Sequence, residues 1–129
     1  MTATASRPAL VIVVDGEPAA TELTRVRAAD LRLAQKQRDY LRAEAARAGR
    51  EPDAVALEVD VVIDEHAAQA RASYAGLGAT ADGVTYVGTP SGLKSLIEDV
   101  YAAEVADAVV LRPVGGDRTQ QLIASLLAA

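Results

Sequence analysis

Acidic residues stand in two places in the sequence where they could do chemistry. Asp15 and Glu17 flank Gly16 directly after an apolar run, and barrel enzymes built on parallel strands place their chemistry at the carboxyl ends of those strands. Glu58 and Asp60 lie two residues apart in a Val-rich stretch, so on a strand they share one face and could divide acid and base roles. A polar turn and a solvated strand face are the simpler interpretations.

Three further residues are candidates because of their positions. His66 would need a partner from a distant segment to act as a general base, and a solvated surface position is the simpler interpretation. Thr89 precedes Pro90 at a strand-to-helix junction, where backbone N–H groups can bind phosphate, although a helix N-cap explains it equally well. Arg112 ends the last predicted strand and is the cation best placed to meet an anionic cofactor, with a surface ion pair as the alternative. No residue is assigned a catalytic role.

The composition excludes several classes of site. The 129 residues include no Cys and one His, and the formal net charge is −5. Thiolate chemistry, disulfides and zinc sites built on thiolates or on several histidines of one chain are therefore excluded, and we expect no metal. Lys and Arg are scattered and outnumbered by acidic residues, which argues against nucleic acid and anionic membranes as partners. The apolar run from Ala9 to Val14 is too short for a signal segment or a membrane span, so we expect a cytoplasmic protein.

Strand and helix patterns alternate along the chain. We expect a loose tail over residues 1–8 and a single domain over residues 9–129. Strands are predicted at residues 9–14, 30–34, 55–63, 84–87 and 108–111, and helices at 18–26, 36–49, 64–76, 90–101 and 117–127. This order predicts an α/β fold with a mainly parallel sheet and right-handed connections. The mixed face of the third strand would also suit an antiparallel or half-exposed position.

Three stretches in this order resemble the C-terminal half of the bacterial-luciferase-like monooxygenases, which are flavin- or deazaflavin-dependent α/β barrels. The first is residues 7–16, with Ala29-Asp30 after the following helix. The second is residues 45–55, which contain the sequence Ala-Gly-Arg-Glu-Pro-Asp. The third is Tyr86-Val-Gly-Thr-Pro90 followed by residues 105–113. Together these stretches span nearly the whole chain.

The resemblance implies a partial barrel of the TIM type, with about four to five mainly parallel strands, because a complete barrel takes roughly 250 residues. It also implies FMN or deazaflavin as the cofactor. The corresponding cofactor-binding candidates are Asp15, Gly16, Thr89 and Arg112. The family often has Ser in the turn after the first of these strands, whereas Asp15 and Glu17 would repel a phosphate.

Half a barrel leaves sheet edges and an apolar inner face that need cover. A symmetric homodimer or a separate protein equivalent to the missing N-terminal half would supply it. Two functions follow. The resemblance favours an oxidoreductase that uses reduced flavin and oxygen once a partner or an oligomer completes the site. The missing half and the acidic turn favour a non-catalytic truncated relative that acts as a binding or assembly module and needs no cofactor.

Overall fold

The structure, a computed structural model, describes residues 9–18, 22–78 and 82–128. Five strands and four helices lie in these ranges. The strands are β1 (Val11–Val14), β2 (Leu23–Val26), β3 (Ala54–Ile63), β4 (Thr85–Gly88) and β5 (Ala108–Arg112), and the helices are α1 (Leu31–Arg47), α2 (Ala67–Leu77), α3 (Pro90–Ala102) and α4 (Asp117–Ala128). Every strand pair is parallel. The predicted α/β class with a parallel sheet is therefore confirmed, and the predicted tail lies outside the described residues.

The long central strand β3 organises the sheet. Its first half pairs with β2 and its second half with β4, so these two short strands lie end to end along one side of β3. Strand β5 runs along the other side, and β1 lies beyond β5. Strands β2 and β3, which are consecutive in the chain, are neighbours in the sheet, as successive strands of an α/β barrel are. Strands β4 and β1 depart from the barrel order, because β4 lies on the side of β3 away from β5 and β1 pairs with β5 and not with β2.

One face of the sheet carries the main core. Alternate residues of β3 point to this face and are fully buried, as the period of two requires. They are Val55, Leu57, Val59, Val61 and Ile63. Ala34 of α1, Leu93 and Ile97 of α3 and Ile123 of α4 pack against them. Because the chain has no Phe and no Trp, Val, Leu and Ile supply the buried apolar area that stabilises the fold.

The opposite face of the sheet has a different character. Ala56, Ala108 and Val110 form a small buried cluster near the amino ends of the strands, and Val11, Val13 and Leu23 pack against it while partly buried. Further along the same face the residues are charged. Helix α2 contributes no residue to the main core. It connects β3 to β4, which lies on the side of β3 away from β5, so a right-handed connection places α2 on this second face.

Two adjacent predictions are wrong. Residues 23–26, expected in a helix, form β2, and residues 30–34, expected in a strand, begin α1. Pairing with β3 satisfies the backbone hydrogen-bonding groups of Leu23–Val26. This pairing outweighs the helical spacing of Leu23 and Val26 in the sequence. Asp30 is the N-cap of α1, and its side chain accepts a hydrogen bond from Leu33 N at 2.9 Å. The alternation of Leu31, Arg32 and Leu33 therefore belongs to the first turn of an amphipathic helix.

A buried ion pair fixes the amino end of the sheet. Arg38 of α1 and Asp107, which precedes β5, are each 3% exposed. Nη2 and Nε of Arg38 donate to Asp107 Oδ1 at 2.9 and 3.2 Å. Asp107 Oδ2 accepts a hydrogen bond from the backbone N of Val55 at 2.9 Å. The pair thus joins α1, β3 and the start of β5, at the end of the sheet where conserved contacts in barrel enzymes serve stability.

Candidate functional site

A layer of ion pairs lies on the second face of the sheet, beyond the small apolar cluster. It consists of Asp15, Arg25, Arg27, Glu58, Asp60, Asp82 and Arg112. We call these seven residues the charged layer. Six of them lie on β2, β3 and β5 or directly after β1 or β2, and Asp82 lies three residues before β4, so every part of the sheet contributes to one site.

Sheet register explains why these residues meet. Glu58 and Asp60 alternate with the core residues of β3 and therefore point to the second face. Arg25 of β2 aligns with Ala56 of β3, and Arg112 of β5 aligns with Asp60. Residues that align in a parallel sheet share a face, so the two arginines lie on either side of the carboxylates of β3.

Asp60 is the centre of the charged layer. Its two carboxylate oxygens accept hydrogen bonds from Arg27, with Nη2–Oδ2 at 2.8 Å and Nη1–Oδ1 at 3.2 Å. Arg112 Nη1 lies 3.2 Å from the same Oδ1. A carboxylate between two guanidinium groups has a negative charge that is well compensated. Glu58 is held in the same way by Arg25, at 2.9 Å, and by Arg27, at 3.6 Å. Both carboxylates of the predicted pair, Glu58 and Asp60, therefore form ion pairs with arginines.

The edge strands are joined across the charged layer. Asp15 follows β1, and Arg25 belongs to β2 at the other side of the sheet. Their Oδ1 and Nη2 atoms are 3.0 Å apart. Because β5 and β3 separate these edges, which in a flat sheet would be about 14 Å apart, this ion pair indicates a sheet curved towards its second face.

Arg27 also holds the segment that leads into β4. Its guanidinium donates to Asp82, and it lies so close to Gly83 that a Cβ there would be 2.7 Å from Cζ. Hydrogen bonds from Arg27 to Asp60 and Asp82 raise the pKa of this guanidinium further above its already high ordinary value. The same hydrogen bond and the positive charge of Arg27 lower the pKa of the Asp82 carboxyl. Both groups therefore keep their charges at neutral pH.

The structure brings three of the four predicted cofactor-binding residues together. Asp15 Oδ2 lies 3.7 Å from Arg112 Nε, and Gly16 follows in the turn with a φ of 94°. A groove of about 580 Å³ opens between this turn and α4. It is lined by Val14, Asp15, Gly16, Glu17, Gln120, Ile123, Ala124 and Leu127. Arg112 forms ion pairs with Asp15 and Asp60. Such pairing was the alternative to binding an anionic cofactor.

Thr89, the fourth cofactor-binding candidate, and His66, the candidate general base, lie in helix caps. Thr89 is the N-cap of α3, and its Oγ1 accepts a hydrogen bond from Gly92 N at 3.3 Å. Helix capping therefore explains this residue without a ligand. His66 is the exposed N-cap of α2 and makes no side-chain capping bond. The helix was expected to start at Asp64, but that carboxylate accepts from Glu65 N.

The described residues provide neither a metal-binding group nor a membrane-spanning helix. In residues 9–18, 22–78 and 82–128, no three His, Asp or Glu side chains are grouped so that they could hold a metal ion. None of the helices in these ranges is long and apolar enough to cross a membrane. No protein-family model matches the chain, and no curated protein is similar to it at a significant level. The likeness to luciferase-like monooxygenases thus rests on the three sequence stretches.

Three residues of the charged layer, Arg25, Arg27 and Asp82, were not predicted. A signal for two of them is present in the sequence. Arg25 and Arg27 alternate with apolar or β-branched residues in the same way as Glu58 and Asp60. Two strands with opposite charges at the same period are expected to pair side by side. The signal was missed because residues 18–26 were assigned to a helix.

Proposed function

We propose that the chain is a luciferase-like monooxygenase family member equivalent to the C-terminal part of a TIM-type barrel. In this proposal it works as an oxidoreductase with reduced flavin or deazaflavin and oxygen when a second chain completes the site. The observation that carries the proposal is the charged layer. It lies towards the carboxyl ends of parallel strands, on the face away from the main core, where barrel enzymes have their active sites.

The curvature of the sheet adds support, since it is curved enough for an ion pair between Asp15 and Arg25. Strands β2 and β3, which are consecutive in the chain, are also neighbours in the sheet. Strand β1 lies beside β5, where a different strand would pair in a complete barrel. We interpret its pairing with β5 as the arrangement that the isolated half adopts.

The cofactor does not fit the turn after β1 on its own. A flavin phosphate in the groove beside Gly16 would face the carboxylates of Asp15 and Glu17, which repel it. Arg112, the cation at the end of β5, already contacts Asp15 and Asp60. We therefore derive no catalytic step from this chain alone. In the proposal, most of the contacts to the cofactor come from the second chain.

Both edges of the sheet have surfaces suited to a second chain. Beside β2, Leu33 and Tyr40 of α1 are 43% and 61% exposed and line a groove of about 420 Å³ together with Val26 and Leu41. Beside β1, a groove of about 230 Å³ contains Leu10, Ile12, Ile97, Leu126 and Leu127. Apolar side chains next to a strand edge that no described strand covers favour association. A second copy or an N-terminal-half protein would cover them.

Equilibrium binding of FMN and deazaflavin, measured together with the mass in solution, tests the proposal. We expect micromolar binding to a defined oligomer and weaker binding by Arg112→Gln. Arg47→Gln is the control, since Arg47 is exposed and pairs with Glu44 on α1. Leu33→Glu should weaken the oligomer, whereas Ala43→Glu, at an exposed position of the same helix, should not. An oligomer that binds neither cofactor would contradict the oxidoreductase assignment.

The second candidate is a non-catalytic binding or assembly module. The observation in its favour is that each arginine of the charged layer contacts at least two carboxylates of this chain, so these three arginines already have anionic partners. This candidate predicts a stable oligomer or a stable complex with another protein and no flavin uptake. Flavin turnover by the purified chain would exclude it.

A further inference from the structure

The four carboxylates of the charged layer differ in how firmly they are held. Glu58 and Asp60 belong to the central strand, and their side chains are 17% and 13% exposed. Asp15 and Asp82 come from the segments after β1 and before β4, and their side chains are 39% and 74% exposed. Glu58 and Asp60 thus contact the three arginines from the sheet, and Asp15 and Asp82 contact them from the more exposed side.

The two accessible carboxylates occupy well-defined positions on the arginines. Asp15 bridges two guanidinium groups, with its Oδ1 on Arg25 at 3.0 Å and its Oδ2 near Arg112 at 3.7 Å. Asp82 contacts Arg27 on the same Nη2 that donates to Asp60. Each position is a carboxylate-binding position that the chain fills with its own side chain. Guanidinium groups bind any carboxylate of suitable geometry in the same way.

Charge decides which ligand would fit. Three guanidinium groups and four carboxylates leave the charged layer with one net negative charge. If Asp15 and Asp82 turn out to solvent, the remaining groups carry one net positive charge. A dianion restores the original balance, whereas a monoanion restores half of the lost negative charge. A ligand with two carboxylates can occupy both positions at once, whereas a monocarboxylate occupies one of them, so the site favours a ligand with two negative charges.

We propose that the charged layer binds a small organic dicarboxylate, with one carboxylate in place of Asp15 on Arg25 and Arg112 and the other in place of Asp82 on Arg27. Two separate carboxylate positions favour a dicarboxylate over a compact phosphate. Glu58 and Asp60 hold the arginines in place from below. This site needs neither flavin nor a partner chain, so it does not depend on the proposed function.

Calorimetric titration of the purified chain with malonate, succinate and glutarate, at constant ionic strength, tests this proposal. We expect saturable binding of at least one of them and no saturable binding of acetate. Arg27→Gln should weaken binding at least about tenfold, because it removes charge-assisted hydrogen bonds. Asp82→Asn should tighten binding up to about fivefold, because a competing exposed ion pair is lost. Arg47→Gln, outside the charged layer, should leave binding unchanged.

Several results would contradict the proposed dicarboxylate site. If no dicarboxylate saturates the parent chain, or if Asp82→Asn binds more weakly than the parent, the proposal is wrong and the charged layer serves the fold alone. Saturable binding of inorganic phosphate but of no dicarboxylate would also overturn it. Asp82→Asn changes an exposed residue and keeps the test valid if Arg27→Gln does not fold. Flavin is absent from this titration, so its outcome is distinct from that of the cofactor experiment.

Discussion

At the scale of single residues, two glycines near Thr89 make room for one tyrosine hydroxyl. A Cβ on Gly88 would lie 2.5 Å from the Tyr86 oxygen, and a Cβ on Gly92 would overlap that oxygen. Tyr86 itself packs against the main core. Neither glycine has a positive φ, so close packing against Tyr86 accounts for both of them. One of the two, Gly88, belongs to the Tyr86–Pro90 stretch that contributed to the family resemblance.

Gly92→Ala should lower the free energy of unfolding by about 1–3 kcal/mol, as an overpacked site does. In the Tyr86→Phe background the loss should be smaller, because the overlapping oxygen is absent. Denaturant unfolding of both single variants and the double variant measures the coupling. Gly76→Ala, where nothing lies within 4 Å of the added Cβ, is the control and should be neutral or stabilising by up to about 1 kcal/mol. Equal losses in both backgrounds would refute this explanation.

The buried ion pair gives a second prediction for single residues. Arg38→Met leaves Asp107 buried without its guanidinium partner, which should cost about 3–5 kcal/mol of unfolding free energy. Arg42→Met, at an exposed position of the same helix, should change stability by less than about 0.5 kcal/mol. Urea unfolding of both variants measures the difference. A loss for Arg38→Met that equals the loss for Arg42→Met would mean that the pair contributes nothing to the fold.

At the scale of elements, the helices differ in how their first turns are capped. Asp30 caps α1 and Thr89 caps α3 through side-chain oxygens, whereas His66 at α2 provides no side-chain acceptor. In the first turn of α2 the backbone N of Gln69 donates to the carbonyl of His66, and this helix buries one residue, Ala70. Of the three helices compared, α2 is therefore the one whose stability depends most on its cap.

His66→Asp should stabilise the protein by about 0.5–2 kcal/mol, because the carboxylate can accept from a backbone N–H group of the first turn and carries a negative charge at the positive end of the helix. Hydrogen exchange of the α2 amides, together with thermal unfolding, measures the effect. His66→Ala is the comparison, since it adds no acceptor and should leave stability nearly unchanged. If the Asp and Ala variants are equally stable, the missing cap is not what limits α2.

Most of the strands and helices could be predicted from the sequence alone. Strands β1, β3, β4 and β5 and helices α3 and α4 were predicted close to their observed bounds, because their apolar residues repeat with one clear period. Strand β2 and the start of α1 were not, because Leu23–Val26 is short and fits both periods until its partner β3 is known. The site followed the same division. Asp15 and Arg112 were recognised from strand ends, and Glu58 and Asp60 from their shared face on β3, whereas Arg25 and Arg27 depended on the missed strand.

At the scale of the whole molecule, the charged layer makes stability depend on pH. Arg27 lowers the pKa of Asp82 below its ordinary value of 3.8, so ionised Asp82 favours the folded state. This contribution is complete at pH values above 3.8 and is lost as pH falls through the lower pKa of the folded state. Acid should therefore weaken the connection between β2 and the segment before β4.

Asp82→Asn should make the unfolding free energy fall less steeply between neutral and strongly acidic pH than it does in the parent. The reason is that the variant no longer has this carboxylate to protonate. Thermal unfolding across the acidic range, for parent and variant, measures the two slopes. Asp39→Asn, an exposed change on α1 outside the charged layer, is the control. A slope for Asp82→Asn equal to that of the parent would show that the contact with Arg27 does not contribute to the fold.

The position of β1 has a consequence for biosynthesis. The registered partner of Val11 is Ala108, and the other strands and three helices lie between them in the chain. On the ribosome, β1 emerges first, yet its backbone has no described sheet partner until β5 has been translated. During that interval a β-branched strand is exposed and prone to pair with other chains. Nascent chains that stall before β5 should therefore be strong clients of chaperones, and β1 should be the segment that they bind.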